Sequence, residues 1–255
     1  MDPRTYCLKQ MERSDALRAA ADRLAAAEMV LNKARRDEAA ALYVEEKAGE
    51  LEVARLRLQD TRAAEVAAAA QLYCGVLAAG RDAAAARATF AIAEETLKIK
   101  KLRFEAGVVT QAEVAQADNA IFSARDAKRT ALESQAAAVR AFCLAAGLPP
   151  ETPLILQPIV TDAADASPNF EEVLAAAKAC NPDFCAAQNR LLLARRKGEA
   201  VKSLTMATAA EKKQAVEELA EAGRQAGKAA AALEETVRAL LARYSNIRRQ
   251  MEILV

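Results

Sequence analysis

The sequence predicts an all-α protein built from long antiparallel coiled-coil hairpins, and three observations carry that prediction. Residues that break helices are scarce, with 8 Gly and 7 Pro in 255 residues. Hydrophobic residues reach 53% while aromatic residues make up only 4%, alanine being the main contributor in runs such as Ala67 to Ala70, Ala83 to Ala86 and Ala229 to Ala232. Leucines recur at seven-residue spacing, as a coiled-coil seam requires. Rarity of β-branched and aromatic residues argues against a sandwich or barrel. A balance of 36 basic and 35 acidic residues leaves a net charge of +1. No excess positive charge exists to neutralise phosphates, so no nucleic-acid partner is expected. Alanine buries little area, which favours helices lying close along narrow seams in an elongated protein.

The elements follow in order. Ser14 with Asp15 is an N-cap signal. Leu17, Leu24 and Leu31 then share one heptad phase, which predicts a helix from Ser14 into the forties; Gly49 can mark a break there, though the Ala and Glu around it would tolerate continuation. A second helix is predicted from Leu51 to Glu105, with Leu51, Leu58 and Leu72 in phase; Gly75 and Gly80 weaken it by about 1 kcal/mol each relative to Ala. It stops at Ala106-Gly107, where glycine takes a left-handed cap. Thr110-Gln111-Ala112-Glu113 is a capping box that opens a third helix, running to Ala146 and stopped by Gly147 and Pro149-Pro150. Val108-Val109 is therefore a short reverse turn between helices of roughly 35 to 55 residues.

Six of the seven prolines lie between Pro149 and Pro182. The chain thus reads as a first helical repeat (1–148, tip at 106–110), a Pro-rich connector (149–168) and a second, truncated helical repeat (169–255). Leu154-Ile155-Leu156 and Ile159-Val160 make the connector too apolar for a free linker. Ser167-Pro168 caps a helix from Asn169 to Ala179. Asn181-Pro182 interrupts it, and another helix runs from Asp183 to Lys202. Ser203 to Thr208 is a breaker. The last helix spans Ala209 to Ile253, with Leu219, Leu233 and Leu240 in one heptad phase and Val216, Val237 and Tyr244 in support.

The two halves resemble each other. Ala19-Ala20-x-Asp22-Arg23-Leu24 matches Ala186-Ala187-x-Asn189-Arg190-Leu191 at an offset of 167. Glu65-Val66 with Leu72-Tyr73 matches Thr236-Val237 with Arg243-Tyr244 at an offset of 171.

Catalytic apparatus is not visible. With 0 His, the commonest general base and the commonest metal ligand are missing. Cys7, Cys74, Cys143, Cys180 and Cys185 are odd in number and lack CxxC spacing, so neither a zinc site nor a disulfide framework is signalled. No phosphate-cradling or nucleophile-elbow motif occurs. The expectation is a non-enzyme with no catalytic, cofactor or metal residues. Basic runs such as Lys98-Ile99-Lys100-Lys101-x-Arg103 read as solvated helix faces.

The stretch Arg103-Phe104-Glu105-Ala106-Gly107-Val108-Val109-Thr110-Gln111-Ala112-Glu113-Val114-Ala115-Gln116-Ala117 resembles the periplasmic tip motif of the TolC-like outer-membrane efflux proteins. Phe142-x-Leu144-Ala145-Ala146-Gly147-Leu148 is similar to that family's helix end. Phe170-Glu171-Glu172-Val173-Leu174 through Asn181-Pro182, with Ala186-Ala187, is similar to the signature opening its second repeat.

That resemblance implies a helical-barrel protomer, a homotrimer, and a non-enzymatic conduit for efflux or type I secretion across the Gram-negative envelope. It implies that Arg103, Gly107, Val108, Val109, Thr110 and Glu113 form a tip that docks onto a periplasmic adaptor (membrane fusion) protein. It places the chain in the periplasm, associated with the outer membrane. Three family features are missing: the β-barrel hairpins, expected around Arg36 to Leu51 and Ser203 to Ala210; the end of the second repeat; and a signal peptide. Neither a strongly apolar run of about 18 residues nor a strand pair of membrane length occurs, so no membrane span is expected. The alternative is a soluble, cytoplasmic coiled-coil scaffold that transports nothing.

Overall fold

A computed structural model describes residues 2–157, 168–204 and 206–253. Helices make up 88% of the described residues, and no strand occurs among them. The fold is all-α: α1 (Pro3–Arg13), α2 (Asp15–Arg36), α3 (Ala41–Glu105), α4 (Gln111–Ala146), α5 (Phe170–Cys180), α6 (Pro182–Ser203) and α7 (Ala209–Ile253). Ile159, Val160 and Ser167 lie outside the described residues, as do Thr205 and Val255.

Caps explain the boundaries, including those that the sequence hid. α2 opens where expected, with Ser14 Oγ accepting from the Leu17 N–H at 3.1 Å. It closes at Arg36 rather than in the forties. Glu38 sits at φ 48, and the Ala39 N–H reaches back to the Ala34 carbonyl at 3.0 Å. This is a Schellman closure with a non-glycine residue in the left-handed position, a choice that costs about 1 kcal/mol and leaves no Gly or Asn signal. Gly49 breaks nothing, since α3 runs straight through it. Its missing side chain serves packing instead: a Cβ there would lie 3.0 Å from the Asn189 amide, which donates to the Gly49 carbonyl at 3.3 Å. α1 was not anticipated. The cap of α5 is Asn169 itself, and that of α6 is Asn181, whose Oδ1 accepts from the Phe184 N–H at 2.8 Å with Pro182 in the first turn. α7 opens on a second capping box that the sequence reading passed over. There Thr208 Oγ1 accepts from the Glu211 N–H at 3.2 Å, and the Thr208 N–H donates to Glu211 Oε2 at 2.7 Å.

By packing, the chain forms two units, Met1–Arg13 with Glu65–Thr161 and Ser14–Ala64 with Asp162–Val255. In the first unit, the end of α3 and α4 form an antiparallel hairpin. Residues buried or half-buried at alternating three- and four-residue steps, namely Ala69, Tyr73, Val76, Gly80 and Ala83, meet a matching series on α4. Tyr73 faces the Phe142 ring at 6.0 Å, a Cβ on Gly80 would stand 3.7 Å from the Gln135 amide, Lys128 sits over the Phe90 ring at 4.4 Å, and Lys100 pairs with Glu113 at 3.2 Å. Each pair is centred within about two residues of Gly107, so one register holds along the arms. α1 closes the far end. Tyr6 stacks on Phe142 at 4.0 Å, and both rings are fully buried with Tyr73. Leu154 and Leu156 pack on the same cluster, and Tyr73 donates to the Gln157 carbonyl at 2.8 Å. The described part of the connector is thus an extended cover, with Ile155 turned outward.

In the second unit, α6 and α7 form a helical hairpin and α5 lies on α7. α6 runs antiparallel to the start of α3, linked by Asn189 to Gly49, Arg196 to Glu45 and Arg57 to Asp183. The seam of α7 includes Ala222, Ala226, Leu233 and Val237, while Val216, Leu240 and Tyr244 stay largely exposed. The heptad phase read from the leucines therefore drifts after Leu233 and is carried by Val237.

The 167-residue offset recurs in the helix boundaries. α1 and α5 each have 11 residues, α2 and α6 each have 22, and each pair starts 167 residues apart. α3 and α7 start 168 apart. In both, the short helix lays an aromatic ring on the long one 67 or 68 residues later, Tyr6 on Tyr73 and Phe170 under Arg238. The match at an offset of 171 does not survive. Val66 is exposed where Val237 is buried, and Tyr73 is buried where Tyr244 is exposed.

Counting alanine as weakly apolar yields no spanning segment. On the hydropathy scale, one 18-residue window of α3 reaches a mean hydropathy of 1.3 and passes as a span by length and composition, with 17% of it buried in the fold.

Candidate functional site

The corner at 106–110 is the place where chemistry and geometry concentrate. α3 ends in a Schellman closure: the Val108 N–H donates to the Arg103 carbonyl and the Gly107 N–H to the Phe104 carbonyl, each at 2.9 Å. Gly107 stands at φ 74, the left-handed region, with open space around its Cα. The demand for glycine there is conformational, not steric. Thr110 then opens α4. Its N–H donates to Glu113 Oε2 at 2.8 Å, and its Oγ1 accepts from the Glu113 N–H at 3.4 Å. Glu113 Oε1 also takes Lys100 Nζ at 3.2 Å. The Thr110 N–H, and then Lys100, hold the Glu113 carboxyl below the usual glutamate range.

These contacts fix the reversal in five residues and present its surface. Val108 is 71% exposed. Arg103, Gly107 and Thr110 are exposed, while Val109 and Glu113 are half-buried. Leu102 and Phe104 add exposed apolar surface beside them. The six residues singled out in the sequence are thus brought together at one end of the α3–α4 hairpin. Lys100 is a member that sequence reasoning missed, having been counted among solvated charges. Its signal was positional: Lys100 and Glu113 stand seven before and six after Gly107, opposite each other across the hairpin.

No group of three or more His, Cys, Asp or Glu side chains that could hold a metal occurs among the described residues. The cysteines are unpaired thiols. What the corner can do is present apolar side chains and a fixed backbone to another surface.

No protein-family model matches the sequence, and no curated protein does. Among solved structures, the chain is similar to a membrane protein from Pseudomonas aeruginosa, with a TM-score of 0.70 and 17% identity over 99% of this chain and 79% of that one. At that identity the likeness carries the fold.

Proposed function

We propose that this protein is a non-enzymatic component of a TolC-like helical conduit, and that its α3–α4 corner docks onto a periplasmic adaptor. The observation that carries the reading is the corner itself. A left-handed glycine and a reciprocal capping box hold Val108 out in solvent at the end of a hairpin whose α4 arm alone is about 54 Å long. With the exposed Leu102 and Phe104 beside it, Val108 makes a cluster of apolar surface at the corner rather than a lone apolar residue, and such clusters mark interaction sites. The tip motif's resemblance to outer-membrane efflux proteins points the same way. The membrane protein with a similar fold supports an envelope setting. In this reading three copies enclose a channel, and cargo passes without chemistry.

Two measurements test it. Light scattering on the purified chain should report a trimer; a stable monomer counts heavily against a conduit. Val108→Asp should abolish binding to an adaptor's helical hairpin, measured by surface plasmon resonance, with helicity unchanged by circular dichroism. Binding that survives this change removes the corner from the interface.

A further inference from the structure

A half-open cavity of about 670 Å³ lies in the second unit, walled by α2, α3, α6 and α7. Its size falls within the roughly 300–1,000 Å³ typical of small-molecule sites. The floor is apolar, made by Ala20, Val53, Leu193 and Ala194, of which Ala20, Val53 and Ala194 are buried. The rim is charged, and its charges are unequally engaged. Glu46 and Glu50 share Lys47 at 3.9 and 2.8 Å. Glu218 accepts from the Gln214 amide at 2.9 Å. Arg57 faces Asp183 at 3.8 Å. Among the described residues, Arg23, Arg190 and Lys197 on the rim have no such partner, and Asp60 is the one unengaged carboxylate there.

The two arginines are not an accident of one helix. Arg23 on α2 and Arg190 on α6 stand 167 residues apart, the offset that relates those helices. The repeat therefore supplies two equivalent guanidinium groups to one cavity. A guanidinium offers a planar fork of donors that suits carboxylate, sulfate or phosphate. Above an apolar floor, that combination selects a ligand with a hydrocarbon body and an anionic head.

We infer that this cavity binds an amphipathic organic anion, its apolar part on Val53 and Leu193 and its head group between Arg23 and Arg190. The site is remote in sequence from the Gly107 corner and does not depend on the conduit reading.

Isothermal titration of the full chain with sodium laurate, kept below its micelle concentration, tests this. One site per chain is expected. Dodecyltrimethylammonium, with the same tail and the opposite charge, should bind at least about tenfold more weakly. The pair Arg23→Glu with Arg190→Glu should weaken laurate by about tenfold or more. Arg23→Gln with Arg190→Gln serves the same purpose should the charge reversal disturb helicity. Ala54→Phe, which fills the cavity, should also abolish binding, while Val108→Asp should leave it unchanged. Absence of laurate binding, equal binding of the cationic detergent, or undiminished affinity in the arginine pair would each overturn the assignment.

Discussion

The two packing units solve the same problem with different materials. The first holds its hairpin with three aromatic rings: Tyr6, Tyr73 and Phe142 are fully buried and touch one another. The second has no fully buried large side chain among its described residues. Its core is alanine, leucine and valine at many sites, among them Leu31, Leu56, Leu174 and Val237. Charge pairs and the Asn189–Gly49 bond join its helices. An Ala-rich sequence gains little per residue from burial. It can compensate by concentrating aromatic area at one point or by spreading small contacts over five helices. The first choice makes a tight joint, and the second leaves room, which is where the cavity lies.

The largest expected effect breaks the aromatic joint. Phe142→Ala should cost about 3–5 kcal/mol, against about 2–3 kcal/mol for Leu233→Ala in the other unit. Hydrogen exchange on α4 and α7 would separate them. Equal losses would show that stability is not concentrated as described. Next comes Gly147, at φ 66, where a Cβ would collide with the Arg13 guanidinium. Gly147→Ala should cost about 1–2 kcal/mol in strain, because the Arg13 guanidinium is the end of a flexible, exposed side chain that can swing aside. Adding Arg13→Ala should therefore restore little of the loss, as denaturant titration would reveal.

Tyr6→Phe sharpens the comparison in the other direction. The Tyr6 hydroxyl is buried and lacks a hydrogen-bond partner, so removing it should stabilise the first unit by about 1 kcal/mol. Burial pushes the Tyr6 pKa up to about 12 from its ordinary 10.0. The folded state thus favours the neutral phenol. That stabilisation is complete below pH 10 and is lost as pH rises through about 12. Near-UV circular dichroism should show alkaline loosening of the first unit, reduced in Tyr6→Phe; an unchanged alkaline limb would reject the burial argument.

The smallest effects lie at the helix starts. Thr110→Ala and Thr208→Ala should each cost about 1 kcal/mol. Glu113 and Glu211 are both held below the ordinary glutamate value of 4.5, first by the N–H of their capping threonine. Their contribution is present above that value and fades as pH falls through the lowered one. Both helix starts should therefore fray in acid, seen as faster exchange in their first turns. Acid resistance at either start would show that its box is not formed.

Much of this architecture was legible because proline, glycine and capping residues are local signals. Ser14, Gly107, Thr110 to Glu113, Gly147 and Asn181 each act within four residues of themselves, so sequence reveals them. Glu38 did not reveal the end of α2, because its left-handed turn is imposed on a residue that does not prefer it. Gly49 was ambiguous between break and continuation for the opposite reason: its value lies in the approach of Asn189, 140 residues away. α1 went unseen because Tyr6 gains its meaning only from Phe142 and Tyr73. At the candidate site, the corner residues were visible and Lys100 was not, since its partner lies across the hairpin. The cavity was invisible for the same reason, its walls coming from four helices.

Because Gly107 sets the zero of the hairpin's register, neither arm can change length alone. One added residue on α3 would turn every later side chain by about 100° away from its mate on α4. Tolerated insertions should therefore arrive as matched seven-residue blocks, one on each arm. Reach could then be adjusted only in steps of about 10 Å per block, a quantised ruler with its origin at the turn.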